Sequence, residues 1–259
     1  MTAITLLEKS YGSYKIAALK AFRNRLSKEL GGLEVEIKKI YNNPLDWIIV
    51  ELEGEDEEAA SNLLSHNYGQ TCPLSELEAN QTRKGKLLET GKYGYGLFID
   101  IGIETQKRFD AFLPLHTLRR QLANDKKVSL RSLINAYGFL DYLSLEINID
   151  SVDQVNKKVQ VSLSENQLNI FRKWNKSKLD RLIICGIPRH HLKKMIIRTG
   201  HLRDIVAVER IGLLEEIIIC KRGTNAPGIL SEIGRLLKNA EIQLFMPSNV
   251  EQILSILEL

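Results

Sequence analysis

"GKLLETGKYGYGLFIDIG", residues 85–102, alternates glycine with large aromatic residues and then runs into a β-branched strand ending on another glycine. A plainly buried strand would take Val and Ile throughout, because those side chains pack best on a pleated surface. Glycines inside a strand instead mark a bulge or a close approach of another group. Tyr93, Tyr95 and Phe98 beside Gly91, Gly94, Gly96 and Gly102 therefore raise the expectation of a surface where flat rings are displayed.

The surrounding chain supplies the rest of a β-rich unit. "DAFLPLHTL" (110–118) reads as a further strand, and a stretch at about 117–144 reads as largely helical. "LSLEINIDSVD" (143–153) and "KKVQVSLSENQL" (157–168) read as a closing strand pair. Five strands with a helical insertion between the third and fourth are the plan of an OB-type Greek-key barrel. Leu97, Ile99 and Phe112 are expected to fill it.

Three blocks of this unit resemble the RNA-binding repeat of the large ribosomal protein S-one. They are the quoted stretch, "DAFLPLHTL", and "INIDSVDQVNKKVQVSLS" ending in Leu-Ser. The insertion is longer than usual in that repeat. Pro114 stands where many repeats carry a surface histidine, with His116 two residues on. The resemblance implies that Tyr95 and Phe98 stack on bases, with Tyr93 and Lys92 beside them. Arg83, Lys84, Lys86, Arg119 and Arg120 are candidate phosphate contacts. Arg172, Lys173 and Trp174, in "FRKWNKSK", are expected either to extend the groove or to form a solvated linker. Single-stranded or loop RNA is the ligand that exposed stacking rings suit.

Both flanking segments read as mixed α and β. Residues 1–78 run strand, helix, strand, strand, helix, with "TCPLSEL" as the candidate for a final strand. The helix "YKIAALKAFRNRLSKEL" places Ile16, Leu19, Phe22 and Leu26 on an apolar period. Residues 174–259 run β-α-β-β-α-β, with Pro188 and Pro227 near helix starts and Ile229, Ile233 and Leu237 on one helical face. A helix-hairpin-helix over 179–200 is the competing reading there. The expected architecture is α+β, a central S-one-like OB barrel flanked by two ferredoxin-like α/β sandwich domains, with boundaries at 78/79 and 173/174.

Charge is unevenly spread: 8 Lys/Arg against 13 Asp/Glu in 1–78, 15 against 10 in 79–173, and 13 against 9 in 174–259. The basic C-terminal two-thirds suit a polyanion partner, and the acidic first domain suits a protein partner. No apolar run approaches the roughly 18 residues that a membrane helix needs. The three scattered cysteines, Cys72, Cys185 and Cys220, and the absence of a secretory pattern indicate a cytoplasmic protein with no membrane partner. No nucleophile, phosphate-loop or metal motif occurs, so neither enzyme activity nor a cofactor is expected.

One other motif stands out. "GTNAPGILSEIGRLL" opens a helix and is similar to the signature of small amino-acid-sensing modules, although here it follows the third strand of its segment and not the first. Gly223, Thr224, Asn225 and Gly228 are its candidate anion contacts. Through "RTGHLRDIVAVERIGLLEEIIICKRGTNAPGILSEIG" (198–234) the whole chain resembles an uncharacterised archaeal family with a central S-one-like domain. Together these readings imply a non-catalytic RNA-binding accessory factor of translation or transcription, with the ribosome or RNA polymerase as candidate partner. The alternatives are a sensor of an amino acid or small anion, and a protein scaffold that binds no RNA.

Overall fold

The computed structural model describes residues 1–105, 109–237 and 239–255. The first domain is built from β1 (Thr2–Lys9), α1 (Lys15–Glu29), β2 (Val35–Asn42), β3 (Trp47–Gly54) and α2 (Glu57–Tyr68). Its antiparallel sheet has the order β1-β3-β2, with both helices over one face. The apolar face of α1 is set by Ala18, Phe22 and Leu26, whereas Ile16, expected on that face, is 83% exposed. At 3.6 residues per turn Ile16 falls roughly 80–160° around the helix from Ala18, Phe22 and Leu26, outside the buried stripe.

"TCPLSEL" is not a fourth strand. Thr71 donates its N–H to the carbonyl of Thr5, and Leu6 pairs with Gln70. One residue further on, Cys72 bonds through both backbone groups to Gly102 and Glu104. Pro73, which has no N–H to give, then starts a 3-10 turn at Leu74–Glu76. The short segment therefore ties β1 to the next domain instead of completing the first sheet.

The middle domain is a closed barrel of β4 (Thr82–Leu88), β5 (Gly96–Asp100), β6 (Ala111–Pro114), β7 (Ser144–Asp153) and β8 (Lys158–Leu163), in the order β4-β5-β6-β8-β7. Neighbours are antiparallel except β6 and β8, whose parallel contact at Phe112 and Gln160 closes the barrel. Leu87, Leu97, Ile99, Leu113, Leu145 and Val161 point inward and are buried. The insertion contains α3 (Leu115–Ala123) and α4 (Leu130–Tyr137), the second capped by the Ser129 hydroxyl.

After the barrel, α5 (Glu165–Ser177) runs across the expected boundary at residue 173. Then come β9 (Arg181–Cys185), α6 (Arg189–Arg198), β10 (Ile205–Arg210), β11 (Glu215–Cys220), α7 (Ala226–Leu236), β12 (Glu241–Phe245) and α8 (Pro247–Ser255). Residues 179–200 thus form a strand and a helix, and no helical hairpin. The sheet order is β10-β11-β9-β12, with every neighbour antiparallel and the first and third strands central. Helix α8, absent from the sequence reading, packs against α4 and α5. Among the described residues no helix is long and apolar enough to cross a membrane.

Candidate nucleic-acid interface

Strand alternation decides which side chains leave the barrel. In β5, Leu97 and Ile99 face inward, so Phe98 faces outward; in β6, Ala111 and Leu113 face inward, so Phe112 faces outward. Phe98 and Phe112 are direct cross-strand partners with ring centroids 5.3 Å apart. Phe112 therefore does not fill the barrel as its apolar character suggested. It belongs to the outer surface, and the period-two pattern of "AFL" was the signal for it.

Tyr93 and Tyr95 complete this cluster from the β4–β5 loop. Tyr93 stands edge-on to Phe98 at 5.3 Å, and Tyr95 lies 5.7 Å from Phe112 and 5.6 Å from Tyr93. Tyr95 is 56% exposed, and the other three rings are half-buried. A backbone hydrogen bond from Leu115 to the Tyr95 carbonyl anchors the loop to the start of α3. The glycines have a steric role: a Cβ on Gly96 would sit 2.5 Å from the Phe112 ring and from the Leu113 carbonyl. Around Gly94 nothing lies within 4 Å. Four contiguous rings, one largely free, present a π-surface. Lys92, paired with Glu89 at 3.0 Å, holds its ammonium 5.3 Å from the Tyr93 ring centroid.

The candidate phosphate contacts scatter. Lys86 is 1% exposed and lies in a buried cluster where all three domains meet. Its Nζ is 2.8 Å from Glu215 Oε2 and 3.6 Å from Glu8 Oε2, so it is not available to a phosphate. Position 86 shares the outer face of β4 with Leu88, the partner of Phe98, but the flanking domains cover that end of the face. Burial alone would lower the Lys86 pKa, yet the Glu215 and Glu8 carboxylates hold it above its ordinary value. Tyr11 donates to Glu215 Oε1 at 2.6 Å, and burial and that carboxylate push its phenol well up. Close by, Lys9 and Asp100 form a second buried pair, 2.5 Å apart, with the ammonium over the Trp47 ring.

Arg83 donates to the Gln70 carbonyl at 2.6 Å and, with Lys84, lines a cleft of about 460 Å³ between the first domain and the barrel. Glu76 and Glu146 line the same cleft. Arg119 gives its Nε to the Val128 carbonyl, and Arg120 is exposed on α3. Arg172 pairs with Glu165 and Asn169 on its own helix, and Lys173 is exposed.

Trp174 is neither a free stacking ring nor part of a linker. It is half-buried between Phe171 and Phe245, at 5.5 and 5.3 Å, with the Arg181 guanidinium 5.3 Å from its ring centroid. It joins α5 to β12. Helix α5 packs on β7, and in the barrel order β4 separates β7 from β5 while β8 separates it from β6. The aromatic cluster and "FRKWNKSK" therefore do not share one face.

The loop before α7 is closed by its own groups. Asn225 Oδ1 accepts from the Gly228 N–H at 3.2 Å, Thr224 Oγ1 donates to the Lys221 carbonyl, and Pro227 has no N–H. Gly228 leaves room for that cap, since a Cβ there would lie 2.8 Å from Asn225 Nδ2. Gly223 supplies only the positive φ of the turn. No group of three or more His, Cys, Asp or Glu suited to a metal ion occurs among the described residues.

No curated protein matches the chain. Among solved structures it is similar to an uncharacterised protein of Methanocaldococcus jannaschii at 13% identity, over 35% of this chain and 96% of that one, with a TM-score of 0.24. A chain of an a/eIF2alpha–aDim2p–rRNA complex from Pyrococcus horikoshii matches at 15% identity, over 48% and 64%, with a TM-score of 0.26. The intact alpha subunit of aIF2 from Pyrococcus abyssi matches at 13%, over 65% and 97%, also with a TM-score of 0.26. Residues 3–73, 77–175 and 179–245 match in turn the N-terminal, central and C-terminal domains of DUF2110, and the chain belongs to that family.

Proposed function

We propose that this protein is a non-catalytic RNA-binding protein that holds single-stranded or loop RNA on the outer face of its barrel. The observation that carries this reading is the joined cluster of Tyr93, Tyr95, Phe98 and Phe112 across β5 and β6, with Tyr95 more than half exposed. In this reading the barrel is OB-type and S-one-like, in keeping with its strand order and its parallel β6–β8 closure. The outer domains are ferredoxin-like, the first lacking its last strand. Bases stack on the rings, each stack worth about 1–3 kcal/mol, and Lys92 beside Tyr93 meets the backbone. Gln160, the exposed register partner of Phe112, would in this reading meet a base edge. The role that follows is an accessory factor of translation or transcription, acting with the ribosome or RNA polymerase.

Fluorescence anisotropy with short single-stranded RNA at two salt concentrations tests the proposal. Wild type should bind, more weakly at the higher salt, and a folded Tyr95→Ala/Phe98→Ala double variant should lose most of that binding. Equal binding by the double variant, or none by wild type at low salt, overturns it.

A further inference from the structure

A second site lies away from the barrel face. Helices α1 and α6 approach one another and leave a cleft of about 270 Å³ between the first and third domains. Every ionisable side chain lining it is basic: Arg25, Arg189, His190, Lys193 and Arg210. The rest of the wall is apolar, and Ala18 and Ala21 keep the α1 side shallow.

Two features organise this charge. Glu216, with its side chain wholly buried behind the cleft, lies 3.2 Å from Arg210 Nε and 3.9 Å from Arg189 Nε. The carboxylate accepts a hydrogen bond from Arg210 and only faces Arg189, whose guanidinium is held instead by the Val208 carbonyl. The Nη groups of Arg210 have no protein acceptor among the described residues. The second feature is the start of α6. Its N-cap is Pro188, which makes no side-chain cap, so the N–H groups of Arg189 and His190 open the helix uncapped beside the cleft. Arg25 is engaged with Glu29. Lys193, the paired arginines and the helix start leave an uncompensated positive charge over an apolar wall.

We propose that this cleft binds a phosphomonoester, with the dianion held by Arg210, Lys193 and the first turn of α6 and the organic part lying along α1. The carrier is either a free nucleotide or the 5′-phosphate of an RNA. The site is independent of the aromatic face, and neither proposal needs the other.

Isothermal titration of the full chain with AMP tests it, with adenosine as the uncharged comparison. AMP should bind and adenosine should not. Lys193→Glu should weaken AMP about ten-fold or more, the loss of one charge-assisted hydrogen bond plus repulsion. Ala21→Trp should also abolish binding by filling the cleft, without changing charge. Lys176→Glu, an exposed lysine on α5, should bind AMP as wild type does. Displacement of AMP by a 5′-phosphorylated trinucleotide, but not by its 5′-hydroxyl form, identifies an RNA end as the carrier. No displacement identifies the free nucleotide. Absence of AMP binding, equal binding of adenosine, or binding unchanged in both cleft variants overturns the proposal. Retention of AMP binding in Tyr95→Ala/Phe98→Ala separates this site from the barrel.

Discussion

The ring of Tyr11, from the first domain, lies flat on that of Tyr142, from the barrel, with centroids 3.8 Å apart and planes 12° from parallel. Its hydroxyl reaches the third domain at Glu215. One side chain thus touches all three units, and Lys86 closes the arrangement from the barrel side. Gly212 backs it, because a Cβ there would overlap Glu215 and crowd the Lys86 ammonium.

Breaking this cluster on one side should be costly. Lys86→Met leaves a buried carboxylate without its cation, and a loss of about 3–5 kcal/mol is expected in urea unfolding. Glu215→Gln should behave similarly. The Lys86→Met/Glu215→Leu double variant should recover much of the loss, since apolar pairs of similar volume replace buried ion pairs well. Single-variant costs below about 1 kcal/mol would mean that the pair is solvated.

The sequence shows the barrel well and this cluster not at all. Period-two apolar runs mark β5, β7 and β8 because each strand buries one face, and that signal is local. Lys86 and Glu215 lie 129 residues apart, and although both border buried leucines and isoleucines, nothing local shows that the two charges meet. Each therefore reads as surface charge. Trp174 misled for the same reason: basic residues surround it along the chain, but its contacts, Phe245 and Arg181, come from β12 and β9. Phe112 was legible, and only the assumption that an apolar residue must face inward hid it.

Gly96 supports the aromatic face sterically. Gly96→Ala should displace Phe112 and cost about 1–3 kcal/mol, as overpacking does. RNA affinity should fall with it. Gly94→Ala, in open space, should change neither. Thermal melts and anisotropy on the two variants check this.

Tyr95 should separate binding from stability. Being largely exposed, its replacement by Ala should move the unfolding free energy by no more than about 0.5 kcal/mol. RNA binding should weaken about ten-fold or more. A Tyr95→Ala protein that melts far below wild type would make the ring structural.

His201 should give the third domain a pH response. It lies 2.9 Å from Asp204 and 3.1 Å from Glu232, and the bond to Asp204, ahead of Glu232, raises its pKa above the ordinary 6.5. A histidine raised in the folded state adds stability that is full below its unfolded pKa and is lost as pH rises through the folded one. Wild type should therefore lose stability relative to His201→Gln as pH rises above the ordinary histidine value of about 6.5. Parallel melting profiles for the two proteins would rule this contribution out.

The stitch at Gln70–Cys72 bears on how such a chain can be taken apart. Its residues are claimed from both sides, Gln70 by Leu6 and Cys72 by Ile103. A cut just before residue 77, where the central family match begins, would strip the carbonyl of Gly102 and the N–H of Glu104 of their bonds to Cys72. The barrel would then carry two unpaired backbone groups just past the end of β5. Recombination that shuffled this barrel into another protein would have to bring its stitch along or evolve a replacement. Similarity marks three modules here, but the hydrogen bonds make the first two a single mechanical piece.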